Sequence, residues 1–104
     1  KRQLRTRRGR RWTLEAITFQ LKRNYPMQRI DVMLSKNEGT RKERTLQDSL
    51  LSTDLYITET LSGREKPPQK KTFEKPNKAL AGLFREVANQ QQKGFTVIDT
   101  QVFD

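Results

Sequence analysis

The 104 residues hold 22 Lys and Arg against 12 Asp and Glu, a formal net charge of +10, and contain neither Cys nor His. The missing Cys excludes disulfides, thiolate metal sites and Cys nucleophiles, and the missing His removes the usual acid–base group and metal ligand near neutral pH. The length suits one domain, and an apolar fraction of 32%, where ordinary domains reach roughly 45–50% with Gly included, predicts a small core under strong self-repulsion.

Residues 1–11, KRQLRTRRGRR, carry seven cations and no anion. That density, with Gly9, predicts a basic arm rather than a core element. Trp12 ends the arm. Over 12–25, Leu14, Ile17, Leu21 and Tyr25 recur at helical spacing with Thr13 placed to cap, while Ile17, Phe19 and Leu21 also alternate as in a strand. Helix is favoured, and Pro26 ends either element. Over 28–34, Ile30, Val32 and Leu34 alternate with Arg29, Asp31 and Met33, the pattern of a half-buried strand.

The stretch 35–44, SKNEGTRKER, with Asn37, Gly39 and four cations, reads as a basic loop. Thr45 and Asp48 resemble a capping box, which makes Leu46, Leu50 and Leu51 the stripe of a short helix. Residues 54–61 read as a second strand with Leu55, Ile57 and Leu61 on one face, an alternation that Glu59 breaks. Pro67, Pro68 and Pro76 among cations predict a basic loop over 62–76, partly polyproline-like. Asn77 is placed to cap a helix over 78–91 whose apolar stripe is Leu80, Leu83, Phe84 and Val87. Gly82 weakens that helix by about 1 kcal/mol relative to Ala. Gly94 suits its C-terminal cap, and Gln90–Gln92 reads as a solvated end. Residues 95–103 form a closing strand.

These elements predict an α+β fold: one small domain, 12–104, with a three- or four-stranded sheet, two or three helices and a basic N-terminal arm. Charge is segregated. The arm carries +7, residues 35–44 carry +2 and residues 62–78 carry +4, which leaves −3 for everything else. A slightly acidic body with cationic appendages is the layout of segments that bind something outside the body.

The candidate nucleic-acid contacts follow from that layout. Lys1, Arg2, Arg5, Arg7, Arg8, Arg10 and Arg11 form the arm, and the planar Arg fork suits phosphate because it donates two parallel hydrogen bonds and keeps its charge. Trp12 either stacks on a base or begins the core, and the core is favoured. Arg64, Lys66, Lys70, Lys71 and Lys75, stiffened by Pro67 and Pro68, form a second anchor or a solvated loop. Lys22, Arg23 and Arg29 flank Pro26 and extend a basic face, although ordinary surface charge explains them more simply. The carboxylates Glu15, Asp31, Asp48, Asp54, Glu59, Glu86 and Asp99 show no spacing that demands acid–base or metal chemistry, so neither an enzyme nor a cofactor is expected.

The sequence therefore points to nucleic-acid binding without strong sequence preference. RNA is preferred over DNA, in a structural or accessory role within a ribonucleoprotein. The alternative is a protein–protein interaction or regulatory factor, of the viral or phage accessory kind, that binds other proteins through helix 78–91 or strand 95–103. Its arm would then be a nuclear-import or docking signal. No apolar run approaches the roughly 20 residues of a membrane span. The expected location is intracellular, cytoplasmic or nuclear.

Overall fold

The computed structural model describes residues 9–103. In chain order the elements are β1 (Arg10–Arg11), α1 (Leu14–Lys22), β2 (Arg29–Glu38), β3 (Thr40–Ser49), β4 (Asp54–Leu61), β5 (Arg64–Glu65), β6 (Gln69–Thr72), α2 (Pro76–Gln92) and β7 (Thr96–Phe103). All seven strands join one antiparallel sheet in the order β1-β7-β2-β3-β4-β5, with β6 beside β5 on the outer edge of β4. The expected three- or four-stranded sheet is thus too small, and the helices number two among the described residues.

The first correction lies at 35–51. The expected loop and short helix are instead the second half of β2, a turn, and β3, paired residue for residue from Arg29↔Ser49 to Glu38↔Thr40. The turn needs the positive φ of Gly39, +76°. The strand signal in β3 was hidden because charges occupy its inward positions. Arg44, Leu46 and Asp48 share one face, opposite Leu34, Val32 and Ile30. Only Leu46 looks like a core residue. Leu50 packs on the core from the turn after β3, whereas Leu51 is 88% exposed, so no leucine stripe exists.

The second correction lies at 62–76, expected as loop. Ser62 and Gly63 both have positive φ, the requirement of a two-residue hairpin turn, and return the chain as β5 along β4. Pro67 and Pro68 fall between β5 and β6, where no ladder donor is needed. Short strands rich in Lys, interrupted by Pro, also protect this sheet edge from pairing with another chain.

Both helices cover one face of the sheet. Ile30, Val32, Leu34, Leu46, Leu55, Ile57 and Val102 point to that face and form one core with Ile17 of α1 and Leu83 and Val87 of α2. Thr13 caps α1 as expected, accepting from the Ala16 amide at 3.1 Å. The strand alternative for 12–25 fails because Phe19 is 55% exposed while Ile17 is buried. Trp12 packs against the core, edge-on to Tyr25 at 5.2 Å between ring centroids, which agrees with its favoured role.

In α2 the N-cap is Lys75 without a side-chain hydrogen bond, and Pro76 opens the helix. Asn77 is therefore not the cap. Gly82 has a packing role: a Cβ there would stand 2.5 Å from Cζ of Phe73, so the ring packs on the helix backbone. The helix ends in a Schellman motif, with Phe95 N–H donating to the Gln90 carbonyl and Gly94 N–H to that of Gln91. Gln90 is 2% exposed, contrary to its expected place in a solvated end. The apolar stripe of α2 is used within the molecule, so helix 78–91 offers no free apolar face to a partner.

Asp48 is the anomaly of the core. It is fully buried, neither carboxylate oxygen has a hydrogen-bond partner among the described residues, and burial pushes its pKa up to about 7. Among the described residues no helix is long and apolar enough to cross a membrane.

Candidate nucleic-acid interface

The sheet order separates the predicted contacts into two groups. Lys1, Arg2, Arg5, Arg7 and Arg8 lie outside the described residues. Arg10 and Arg11, read as the end of a free arm, form β1 against Val102 and Gln101 at one edge of the sheet. The Arg10 guanidinium donates to the Tyr25 hydroxyl at 2.9 Å, and Arg11 stands 3.4 Å from Asp99. Lys22 and Arg23 end α1, with the Arg23 guanidinium over the Phe19 ring at 5.4 Å. Arg64, Lys66, Lys70 and Lys71 lie at the opposite edge, five strand steps away, or about 24 Å. Lys70 and Lys71 point to opposite faces, because Lys70 pairs across from Tyr56 and Lys71 from buried Leu55. Lys75 stands apart as the N-cap of α2.

The two faces of the sheet treat charge differently. On the face without helices, Arg11, Arg29 and Arg41 each meet a carboxylate: Asp99 at 3.4 Å, Asp31 at 3.0 Å and Glu43 at 2.9 Å. The amides of Gln47 and Gln101 donate to Asp31 and Asp99 as well. The Asp31 pKa is raised by burial, against the pull of Arg29 and Gln47. These three cations are compensated within the face, and Lys70 at its edge is in no ion pair among the described residues.

On the helix-covered face, the end towards the last turn of α2 gathers Lys36, Lys42, Arg44, Arg64, Lys66 and Lys93, with Lys71 farther along the outer edge of β4 beside Glu86. Among the described residues Glu38, Glu59 and Glu86 stand against them. Lys36 and Lys42 are directly opposed across β2 and β3, Lys42 opposes Leu61, and Leu61 opposes Arg64. This sets a basic row across adjacent strands, although like charges directly opposed destabilise a sheet. Lys36 is held by Glu38 at 3.1 Å and by the Lys93 carbonyl at 2.5 Å. Lys42, Arg64, Lys66 and Lys93 have no ion pair among the described residues.

A cleft of about 360 Å³ opens there between α2 and strands β3, β4 and β6, lined by Arg44, Glu59, Lys66, Lys71, Glu86 and Lys93. Its polar wall is one connected network. Lys71 Nζ donates to Glu86 Oε1 at 3.0 Å, Gln90 Nε2 donates to Glu86 Oε2 at 2.6 Å, and Arg44 Nη1 donates to Gln90 Oε1 at 2.5 Å. Arg44 Nη2 then lies 3.7 Å from Glu59. Arg44 and Lys36 also lie over the buried Phe95 ring, at 4.7 and 5.6 Å. Burial pushes the Glu86 carboxyl up, but hydrogen bonds from Gln90 and Lys71 and the charges of Lys71 and Lys93 outweigh it and hold the group below its ordinary value.

Of the predicted contacts, Arg64, Lys66 and Lys71 come together here. Lys36, Lys42, Arg44 and Lys93 join them and were not singled out as contacts. The period-two run Lys42, Arg44, Leu46 was the available signal, legible once Arg44 is allowed an inward position. No known protein family, curated protein or solved structure matches the chain.

Proposed function

We propose that this protein binds nucleic acid, RNA in preference to DNA, by holding phosphates along the basic end of its helix-covered face, as a structural or accessory component of a ribonucleoprotein. The observation that carries this reading is the set Lys42, Arg64, Lys66 and Lys93: four cations on one surface without ion pairs among the described residues, next to a face where Arg11, Arg29 and Arg41 are matched. Unmatched cations release counterions on meeting phosphates, which drives binding without reading sequence. Neither helix offers a basic groove-reading face. The outer positions of α2 hold only Lys78 and Arg85 as cations, and those of α1 hold Glu15, Thr18, Phe19 and Lys22. Single-stranded or irregular RNA suits such a surface better than a duplex groove.

Fluorescence anisotropy of the full chain on single- and double-stranded RNA and DNA across a salt series tests this. Affinity is expected to fall steeply with salt. Changing Lys42, Arg64, Lys66 and Lys93 together to Ala is expected to lower the log–log slope by about 2–3, the share of four phosphate contacts on a single strand. Salt-independent affinity, or none for any nucleic acid, overturns the reading.

One observation favours a second reading, a protein partner. Beyond Gln101 and Val102 no described strand pairs with the outer edge of β7, and exposed Ile98 lies there beside Trp12 and Leu14. A partner strand added at this edge is the expected mode, and binding of another protein that survives the four Ala substitutions supports it.

A further inference from the structure

We infer that the cleft beside the last turn of α2 is a phosphomonoester site: it takes the dianionic phosphate that ends a nucleic-acid strand or is carried by a free mononucleotide. This deepens the phosphate-binding reading above and rests on it.

Charge selects the ligand. Within the cleft wall four cations, Arg44, Lys66, Lys71 and Lys93, face two carboxylates, Glu59 and Glu86, a net of two positive charges. Lys71 pairs with Glu86 and Arg44 with Glu59, Lys66 and Lys93 are in no ion pair among the described residues, and the charge of Lys93 is felt at Glu86. Two positive charges exceed what one phosphodiester along a strand neutralises, and they match a monoester, which carries roughly 1.5–2 negative charges near pH 7. Size agrees. A volume of about 360 Å³ falls at the small end of ligand sites, enough for a phosphate with the first atoms of a nucleoside.

The wall is already organised. Gln90 and Glu86 are buried, and their bonds fix Arg44 and Lys71 before any ligand arrives, so less side-chain freedom is lost on binding. Lys66 and Lys93, both exposed, keep three N–H donors each for the incoming oxygens. The carboxylates in the wall are less repulsive than their number suggests, since both oxygens of Glu86 accept hydrogen bonds from Lys71 and Gln90. A helix C-terminus ordinarily repels anions. In α2, however, the carbonyls of Asn89, Gln90 and Gln91 are taken by the N–H groups of Lys93, Gly94 and Phe95, and the Lys93 carbonyl itself is taken by the ammonium of Lys36.

The test compares the full chain on a 12-nucleotide single-stranded RNA with a 5′-phosphate, with a 3′-phosphate and with hydroxyl ends, by anisotropy across a salt series. Adenosine 5′-monophosphate and adenosine are titrated separately by calorimetry. A phosphorylated end is expected to bind about tenfold tighter than a hydroxyl end, the scale of one or two charge-assisted hydrogen bonds. Lys66→Ala with Lys93→Ala is expected to bring that ratio to one, and Lys66→Arg with Lys93→Arg to keep it. A mononucleotide that binds as tightly as the phosphorylated strand identifies the free ligand as the source, and a far weaker one identifies the strand end. Equal, salt-sensitive affinity for all three strands overturns the monoester site and leaves the phosphate-binding reading standing. Binding of the mononucleotide alone, lost in the Ala variant, keeps the site and overturns the nucleic-acid reading.

Discussion

On the open face of the sheet Arg29 and Arg41 each find a carboxylate two residues along their own strand, whereas on the covered face Lys36 and Lys42 are set directly opposite one another. The two faces share strands and differ by one residue of register, yet on one Arg11, Arg29 and Arg41 are paired within the face, while on the other Lys42, Arg64, Lys66 and Lys93 are in no ion pair among the described residues. A strand's alternation sorts charge as strictly as it sorts hydrophobicity. The number of cations in a segment therefore says little about binding until their pairing is known.

The largest test of the comparison is inside the covered face. Asp48 titrates at about 7 when folded against an ordinary value of 3.8. The folded state thus holds a proton that the unfolded state releases, and stability is highest below the unfolded value and falls as pH rises through about 7. From pH 4 to pH 8 the loss is about 4 kcal/mol from this group alone. Urea unfolding at the two pH values measures it, and Asp48→Asn is expected to flatten the dependence. Glu86 acts in the opposite sense: its lowered pKa stabilises the fold above the ordinary Glu range and ceases to do so in acid.

Next comes the network that ties α2 to the sheet. Arg44→Met removes the donor to the buried Gln90 amide oxygen and the partner of Glu59. A loss of about 2–3 kcal/mol is expected, read from the shift of the urea midpoint at constant slope. Gly82→Ala is smaller. The gain of about 1 kcal/mol in helix propensity is outweighed by pushing a Cβ into the Phe73 ring, for a net loss of about 1–2 kcal/mol seen as a lower Tm.

These same residues explain what the sequence disclosed. The first half of β2, β4, β7 and both helices were legible because apolar side chains mark their inward positions: Ile30 and Val32, Leu55 and Ile57, Val102, Ile17, Leu83 and Val87. β3 was not, since Arg44 and Asp48 flank Leu46 on the inward face. Glu59 looked like a flaw in β4 for the same reason, and the register puts it opposite Arg44. β5 and β6 carry no buried apolar residue at all, so only their pairing to β4 defines them. The candidate site was half visible. The charge of 62–78 announced Arg64, Lys66 and Lys71, but Lys36, Lys42, Arg44 and Lys93 join them only through the hairpin register and the turn after α2.

The smallest expected effect is the sharpest check on the two faces. Arg41 lies three residues from Arg44 on the same strand and points the other way, paired with Glu43 at 2.9 Å and more than half exposed. An exposed pair of this kind contributes roughly 0–1 kcal/mol, so Arg41→Ala with Glu43→Ala is expected to shift stability by less than about 0.5 kcal/mol. Because the two charges leave together, the field at the basic end is unchanged, and the salt slope for RNA should match that of the parent chain. A clear loss of affinity in this charge-neutral variant would mean that RNA crosses the open face after all, with Arg41 giving up its carboxylate for a phosphate. The division between a closed face and a binding face would then have to be abandoned.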